Sequence, residues 1–257
     1  MKTRWLVTPY FFDVQDSALF RAVPDQVDHA QNDPGGVLDR APQSLARTHR
    51  PIAEFVQSAI QQDEVPVSIA GDCAASLPVM AGLQKAGLDP VLVWLDAHGD
   101  FNTIETSPSG FLGGMPLAMM VGRGDLSLAA QTGQQSIAES DVWLIDARDL
   151  DPLEEKALTS SEVNHLPFER LRDLRFKRPV HLHIDNDVID AMDVPANNYP
   201  VGAGPRLDDV VTHCVTFAAQ NTICAISFSG WNGELDKDGK TATACATLLS
   251  EITQALR

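Results

Sequence analysis

Apolar residues gather along this chain into short, separated runs, and the spacing of the runs sets the expected fold. Residues 91–95 (VLVWL), 142–145 (VWLI), 180–184 (VHLHI) and 223–227 (ICAIS) are nearly uninterrupted hydrophobic stretches, the pattern of strands buried on both faces. Residues 67–70 (VSIA) read as a shorter strand of the same kind, and the opening MKTRWLVTPYFF as a first strand. Pro9 breaks that opening stretch, which lacks the apolar length and small-residue cleavage site of a signal peptide. Between the runs the apolar period lengthens to that of amphipathic helices: at 43–62, from Leu77 to a stop at Gly87, and at 152–160, 206–219 and 241–256. Residues 24–43, with Pro, Asp, Asn and the Gly35-Gly36 pair, read as a long surface loop.

Strands alternating with helices predict an α/β fold, a three-layer sandwich with a central, mainly parallel sheet, with residues 1–257 forming a single domain. Open sheets of this kind bind ligands beyond the carboxyl ends of their strands. The residues just after each apolar run are therefore where chemistry is expected.

Charge narrows the partners. The chain has 257 residues with 19 Lys+Arg against 35 Asp+Glu, a formal net charge of −16. Such a surface repels phosphate backbones and anionic lipid, which excludes nucleic acid or a membrane as the main partner and suits cations. No apolar run approaches the roughly 18–20 residues of a membrane span. The four cysteines form no CxxC pair, as expected for thiols in a reducing cytoplasm. Cys214, Cys224 and Cys245 sit in apolar sequence and read as inert core residues.

Three strand ends carry candidate ligands. Residues 96–100 (DAHGD) follow one apolar run, and period-two alternation would turn Asp96, His98 and Asp100 to one side. Residues 185–187 (DND) follow another and align Asp185 with Asp187, while Gly71-Asp72-Cys73 follows the 67–70 run. Four carboxylates, an imidazole and a thiol at neighbouring strand ends repel one another unless cations neutralise them, and two divalent metals would do so. His181 and His183 read as ordinary strand residues. The acidic run of Asp149, Asp151, Glu154 and Glu155 reads as a solvated helix start.

From residue 67 onward these segments resemble the arginase/agmatinase (ureohydrolase) family. LDAHGDFNT at 95–103 is similar to its DAHxDxN signature and HIDNDVID at 183–190 to its SxDxDxxDP signature. SGFLGGMP at 109–116, RDLDP at 148–152 and the segment from Asp236 resemble further family segments. The resemblance implies that Asp96 and Asp185 bridge two metals. Cys73 and Asp100 would complete one coordination sphere, and His98 and Asp187 the other. A metal-bridging hydroxide would attack an amidino or guanidino carbon, and Asp100 would relay a proton to the leaving amine. Asn102 and Ser109 fall where the family contacts a substrate α-carboxylate, and Asp151 lies near its α-amino group, with Glu154 in reach through water. Oxygen-rich ligands favour Mn²⁺, whereas a thiolate makes Zn²⁺, Co²⁺ or Fe²⁺ suitable.

The departures point to one branch. Cys73 stands where the family has a ligand histidine, which resembles the hydroxyarginine hydrolases that release hydroxyurea. Gly113 replaces a loop histidine, Phe111 an asparagine, and Gly230 falls where a glutamate holds the guanidinium. The expected activity is hydrolysis of a C–N bond in a linear guanidine or amidine, including N-hydroxyarginine to hydroxyurea plus ornithine. The competing expectation is a catalytically degenerate binding or regulatory protein on the same fold. The family implies a trimer or hexamer, but the sequence is equally compatible with a monomer.

Overall fold

A computed structural model describes residues 1–256. In chain order the strands are β1 (Thr3–Val7), β2 (Tyr10–Phe11), β3 (Val14–Gln15) and β4 (His29–Gln31), followed by helix α1 (Pro42–Ile60). Next come β5 (Val65–Ile69), α2 (Ser76–Lys85), β6 (Val91–Asp96), α3 (Pro116–Met120) and α4 (Ser127–Thr132). The remainder is β7 (Val142–Asp146), α5 (Pro152–Thr159), β8 (Asn164–Leu166), β9 (Val180–Asp185), α6 (Leu207–Ala218), β10 (Ile223–Ser229) and α7 (Lys240–Ala255). β2 and β3 form a small hairpin. The other strands make one sheet in the order β4-β1-β5-β10-β9-β6-β7-β8.

Every pairing in that sheet is parallel. The continuous apolar runs explain why: β5, β6, β9 and β10 are buried along their whole length, so both of their faces need cover. Alternation then distributes the side chains. Val93 and Leu95 of β6 join Leu182 and Ile184 of β9 in one cluster with Val210 and Phe217 of α6 and Leu248 and Ile252 of α7. Leu92 and Trp94 of the same strand join Leu77 and Met80 of α2 and Leu117 of α3 on the opposite face. α1 adds Ile52 and Val56 against Val79 and Leu83 of α2. The three layers expected from sequence are present.

Two short strands depart from that reading. The segment expected to be a loop at 24–43 contains β4, which pairs with β1 from Trp5↔His29 to Val7↔Gln31, and β8 pairs with β7. All three β4 residues are exposed and no residue of β8 is buried, so neither carries a hydrophobic signature. Among the described residues no helix is long and apolar enough to cross a membrane.

The strand order creates the place for a site. β5 and β6 are consecutive in the sheet's chain order, yet β10 and β9 lie between them. Crossovers that depart in opposite directions open a crevice at the carboxyl ends of such strands. The loops after β5, β6, β9 and β10 all empty into it.

α7 is fixed at its start by a buried carboxylate. Asp236 is 3% exposed, and its two oxygens accept from the amides of Thr241 at 3.0 Å and Ala242 at 2.9 Å. It thereby satisfies first-turn N–H groups that the helix cannot. Asp236→Ala is expected to lower unfolding free energy by about 1–2 kcal/mol, read as a lower midpoint with unchanged slope in urea denaturation.

Candidate metal centre

β6 ends at Asp96, and the chain then leaves the extended conformation. Asp100 has φ +48, a left-handed conformation that Asp tolerates better than most residues. Asp96, His98 and Asp100 do come to the same crevice, but a turn brings them there rather than the extended alternation expected. The turn is held from several sides. Asp96 Oδ1 accepts from the His98 amide at 2.8 Å, and the Leu117 amide donates to the Asp100 carbonyl at 2.9 Å. Asp96 Oδ2 accepts from Trp94 Nε1 at 3.0 Å.

The β9 end meets this turn. Asp185 Oδ1 accepts from the Asp187 amide at 3.0 Å, and Asp187 Oδ1 from the Ala97 amide at 3.1 Å. His98 Nδ1 lies 3.0 Å from Asp187 Oδ2 and 3.5 Å from Asp96 Oδ1. From the turn after β5, Cys73 Sγ donates to Asp185 Oδ2 at 2.8 Å and lies 3.0 Å from Ser229 Oγ at the end of β10. The six residues singled out as ligands thus converge from three strand ends.

Donor atoms of four of the six, together with His183, fall into two overlapping groups, each within 4.8 Å: Asp96 with His98 and Asp187, and Asp96 with Cys73 and His183; Asp100 and Asp185 belong to neither. His183, expected to be an ordinary strand residue, is fully buried within β9, its ring tilted by 37° to that of Trp94 with centroids 3.7 Å apart and its Nδ1 held by Ser76 Oγ and Ser227 Oγ. Period two puts it on the same face of β9 as Asp185.

Electrostatics follow from crowding. Burial, and then the charge of Asp187, pushes the Asp185 carboxyl up to about 7. Burial, and then Asp96, pushes Asp187 up to about 6. Asp96 and Asp100 are raised by the same causes. The Cys73 thiol is held well above its ordinary value by burial and by Asp185, Asp100 and Asp96. Burial opposes a charged His98, but hydrogen bonds and charge from Asp187 and Asp96 prevail and raise it to about 12. The imidazole alone cannot balance four carboxylates, and Asp100 Oδ2 is buried without a hydrogen-bond partner. A donor set of four carboxylates, one imidazole and one thiol fits a pair of divalent cations, which would supply the missing positive charge.

The mouth of the crevice holds the expected recognition residues. Asn102, Ser109, Asp151 and Glu154 all line one cavity with the ligand cluster. Asn102 Nδ2 already donates to Asp151 Oδ2 at 2.9 Å. Glu154 differs from the solvated helix start expected. It is 3% exposed, with Oε1 accepting from the Phe101 amide and Oε2 from the Asp151 amide, so it braces the DAHGD turn from α5. Ser109 is exposed and accepts from the Phe111 amide at 3.2 Å.

Two of the departures have close neighbours. A Cβ at Gly113 would lie 2.3 Å from the Phe111 ring. The same ring stacks near Phe11 and Tyr199 at centroid distances of 6.4 and 5.2 Å. An aromatic rim therefore occupies the place of a polar loop side chain. At Gly230, φ is +92 and a Cβ would stand 1.8 Å from Asp185 Oδ1. No side chain fits there while the backbone keeps this path.

The chain is similar to known proteins in sequence and in fold. The model of the Arginase family matches residues 15–254. An arginase of Bacillus caldovelox is 31% identical over 224 residues, covering 81% of this chain and 75% of that protein. An N(omega)-hydroxy-L-arginine amidinohydrolase of Streptomyces lavendulae is 28% identical over 180 residues, covering 68% of this chain and 63% of that one. The solved arginase from Bacillus caldovelox superposes with a TM-score of 0.84 at 25% identity, covering 98% of each chain.

Ligation requires ionised carboxylates, and protons compete for them. With Asp185 near 7 and Asp187 near 6 in the metal-free protein, lowering pH through that window protonates both. Divalent metal affinity is expected to fall on the order of ten- to a hundredfold between pH 7.5 and 5.5, with proton release on binding. Calorimetry in buffers of different ionisation enthalpy checks both; a flat affinity across the window counts against these ligands.

Proposed function

Since the chain belongs to the arginase family of metal-dependent amidinohydrolases, we propose that it hydrolyses a C–N bond of a linear guanidine, with an N-hydroxylated guanidine such as hydroxyarginine preferred over arginine. The reaction class rests on the convergence of Cys73, Asp96, His98, Asp100, Asp185 and Asp187 at one crevice. Five of the six positions keep the family's ligand type, with Cys73 the exception, and this favours catalysis over a binding-only role. By the family resemblance Asp96 and Asp185 would be the shared ligands; Asp96 belongs to both donor groups, and Asp185 joins the cluster through its contact with Cys73 Sγ. Cys73 and Asp100 would serve one metal, and His98 and Asp187 the other. Mn²⁺ suits the carboxylates, while the Cys73 sulfur admits Zn²⁺, Co²⁺ or Fe²⁺. When bound, two such ions supply the Lewis acidity that makes water nucleophilic near neutral pH.

The protein's own groups do the rest. Water adds to the planar guanidine carbon, the bond from that carbon to the alkyl nitrogen breaks, and the amine departs with a proton. Asp100 Oδ2, buried and free of other partners, is the acceptor positioned to hold the water proton and return it to the leaving nitrogen. With glycine at position 113 there is no second imidazole to share that work. Asn102, Ser109 and Asp151 form the polar side of the cavity for the far end of the substrate. Glu154 reaches it chiefly by keeping Asp151 and the Phe101 amide in place. Phe11, Phe111 and Tyr199 add aromatic surface to the same cavity.

The substrate preference rests on Gly230. Without a carboxylate there, a guanidinium gains no ion-pair partner, whereas an N-hydroxyguanidine, being less basic, enters neutral and needs none. The whole chain would act as one catalytic domain. The four free buried thiols suit the expected cytoplasmic location.

Metal-replete protein is expected to release hydroxyurea from hydroxyarginine at least tenfold faster than urea from arginine at equal subsaturating concentration. The reverse order would sink the preference, and no turnover of any guanidine would favour the binding-only reading. Asp100→Asn is expected to lower kcat by about 10²–10⁴ while KM changes little, in steady-state assays at matched metal content.

A further inference from the structure

Arg148 follows β7 on a strained backbone. Asp146 and Ala147 before it have φ +81 and +48, two consecutive left-handed residues that lack glycine's freedom. Such a conformation persists only where surrounding contacts over-determine it. The Arg148 side chain is 15% exposed, and its guanidinium ties together segments far apart in the chain. Nε donates to the Gly202 carbonyl at 3.2 Å, Nη1 to the Val188 carbonyl at 3.1 Å, and Nη2 to the carbonyls of Asp187 and Val201, both at 3.0 Å. Nη1 also pairs with Asp146 Oδ2. A guanidinium has five N–H donors, and all of them are used.

Two sets of these contacts bear on the site. Asp187 is held at both ends of its main chain: its amide donates to Asp185 Oδ1 at 3.0 Å, and its carbonyl accepts from Arg148. Val201 and Gly202 belong to the loop between β9 and α6, which also supplies Asn198 and Tyr199 to the cavity. Asp146 provides the counter-charge, so what Arg148 passes to the site is geometry rather than charge.

Resting on the two-metal hydrolase reading above, we propose that Arg148 is a positioning residue that joins metal ligation to substrate binding. One guanidinium fixes the Asp187 turn for its metal and anchors the loop that carries Asn198 and Tyr199. Lysine cannot take its place, since an ammonium has three donors on a flexible stem. Gly204 gives a second handle on the same contacts. A Cβ there would lie 2.5 Å from Arg148 Nη2, so Gly204→Ala pushes the guanidinium aside while keeping it.

The test titrates metal-depleted protein with Mn²⁺ by calorimetry, then measures hydroxyarginine hydrolysis at saturating Mn²⁺. Arg148→Lys is expected to weaken one of two Mn²⁺ sites about ten- to a hundredfold, the usual scale when a group that holds a ligand in place is lost. It should also raise KM by a larger factor than it lowers kcat. Gly204→Ala should weaken the same site by a smaller factor, and it carries the test if Arg148→Lys does not fold. In a His98→Ala background, which leaves only the other site, Arg148→Lys should change the remaining affinity less than about twofold. If both variants melt at a lower temperature but keep wild-type affinity at both sites and wild-type KM, Arg148 serves stability alone and the proposal fails. If wild type binds fewer than two Mn²⁺ per chain, the two-metal reading fails first, and this inference with it.

Discussion

Mutual repulsion among four buried carboxylates is the constraint around which this protein is arranged. Asp96, Asp100, Asp185 and Asp187 are each at most 6% exposed, and each has its carboxyl raised by burial. Bringing like charges out of water is tolerable only where fixed dipoles and counter-charge meet them. The protein supplies the dipoles itself: the amides of Ala97, His98 and Asp187 and the Trp94 indole all point at these oxygens. The interruption of the β5–β6 sequence by β10 and β9 is what lets the donors come from separate strand ends rather than one crowded segment.

The central sheet was legible in the sequence because burial on both faces forces an unbroken apolar run, as in β6, β9 and β10. β4 and β8 escaped because exposed three-residue strands leave no such trace. The site was legible where carboxylates directly follow a buried strand, at Asp96 and Asp185. How it is assembled was not. Asp100 reaches the crevice through a left-handed backbone, a conformation that alternation cannot anticipate. Glu154 looked like a solvent-facing helix start, and only the folded turn shows that backbone amides take both of its oxygens.

Three of the expected departures from the family pattern have close physical neighbours in the fold. Phe111 and Gly113 belong together, since the ring fills the space that a side chain at 113 would need. Gly230 belongs with Asp185, because the backbone passes so near the carboxylate that a Cβ would overlap it. A side chain at position 230 would thus have to adopt a strained backbone and displace the Asp185 carboxylate.

The sheet ends in β4 on one side and β8 on the other, each three residues long. Such brief edges offer a neighbouring chain few free backbone groups to pair with, a recognised defence against strand-to-strand aggregation. Any assembly of copies through sheet extension is correspondingly disfavoured, which leaves helix faces and loops as the surfaces through which this molecule can associate without polymerising.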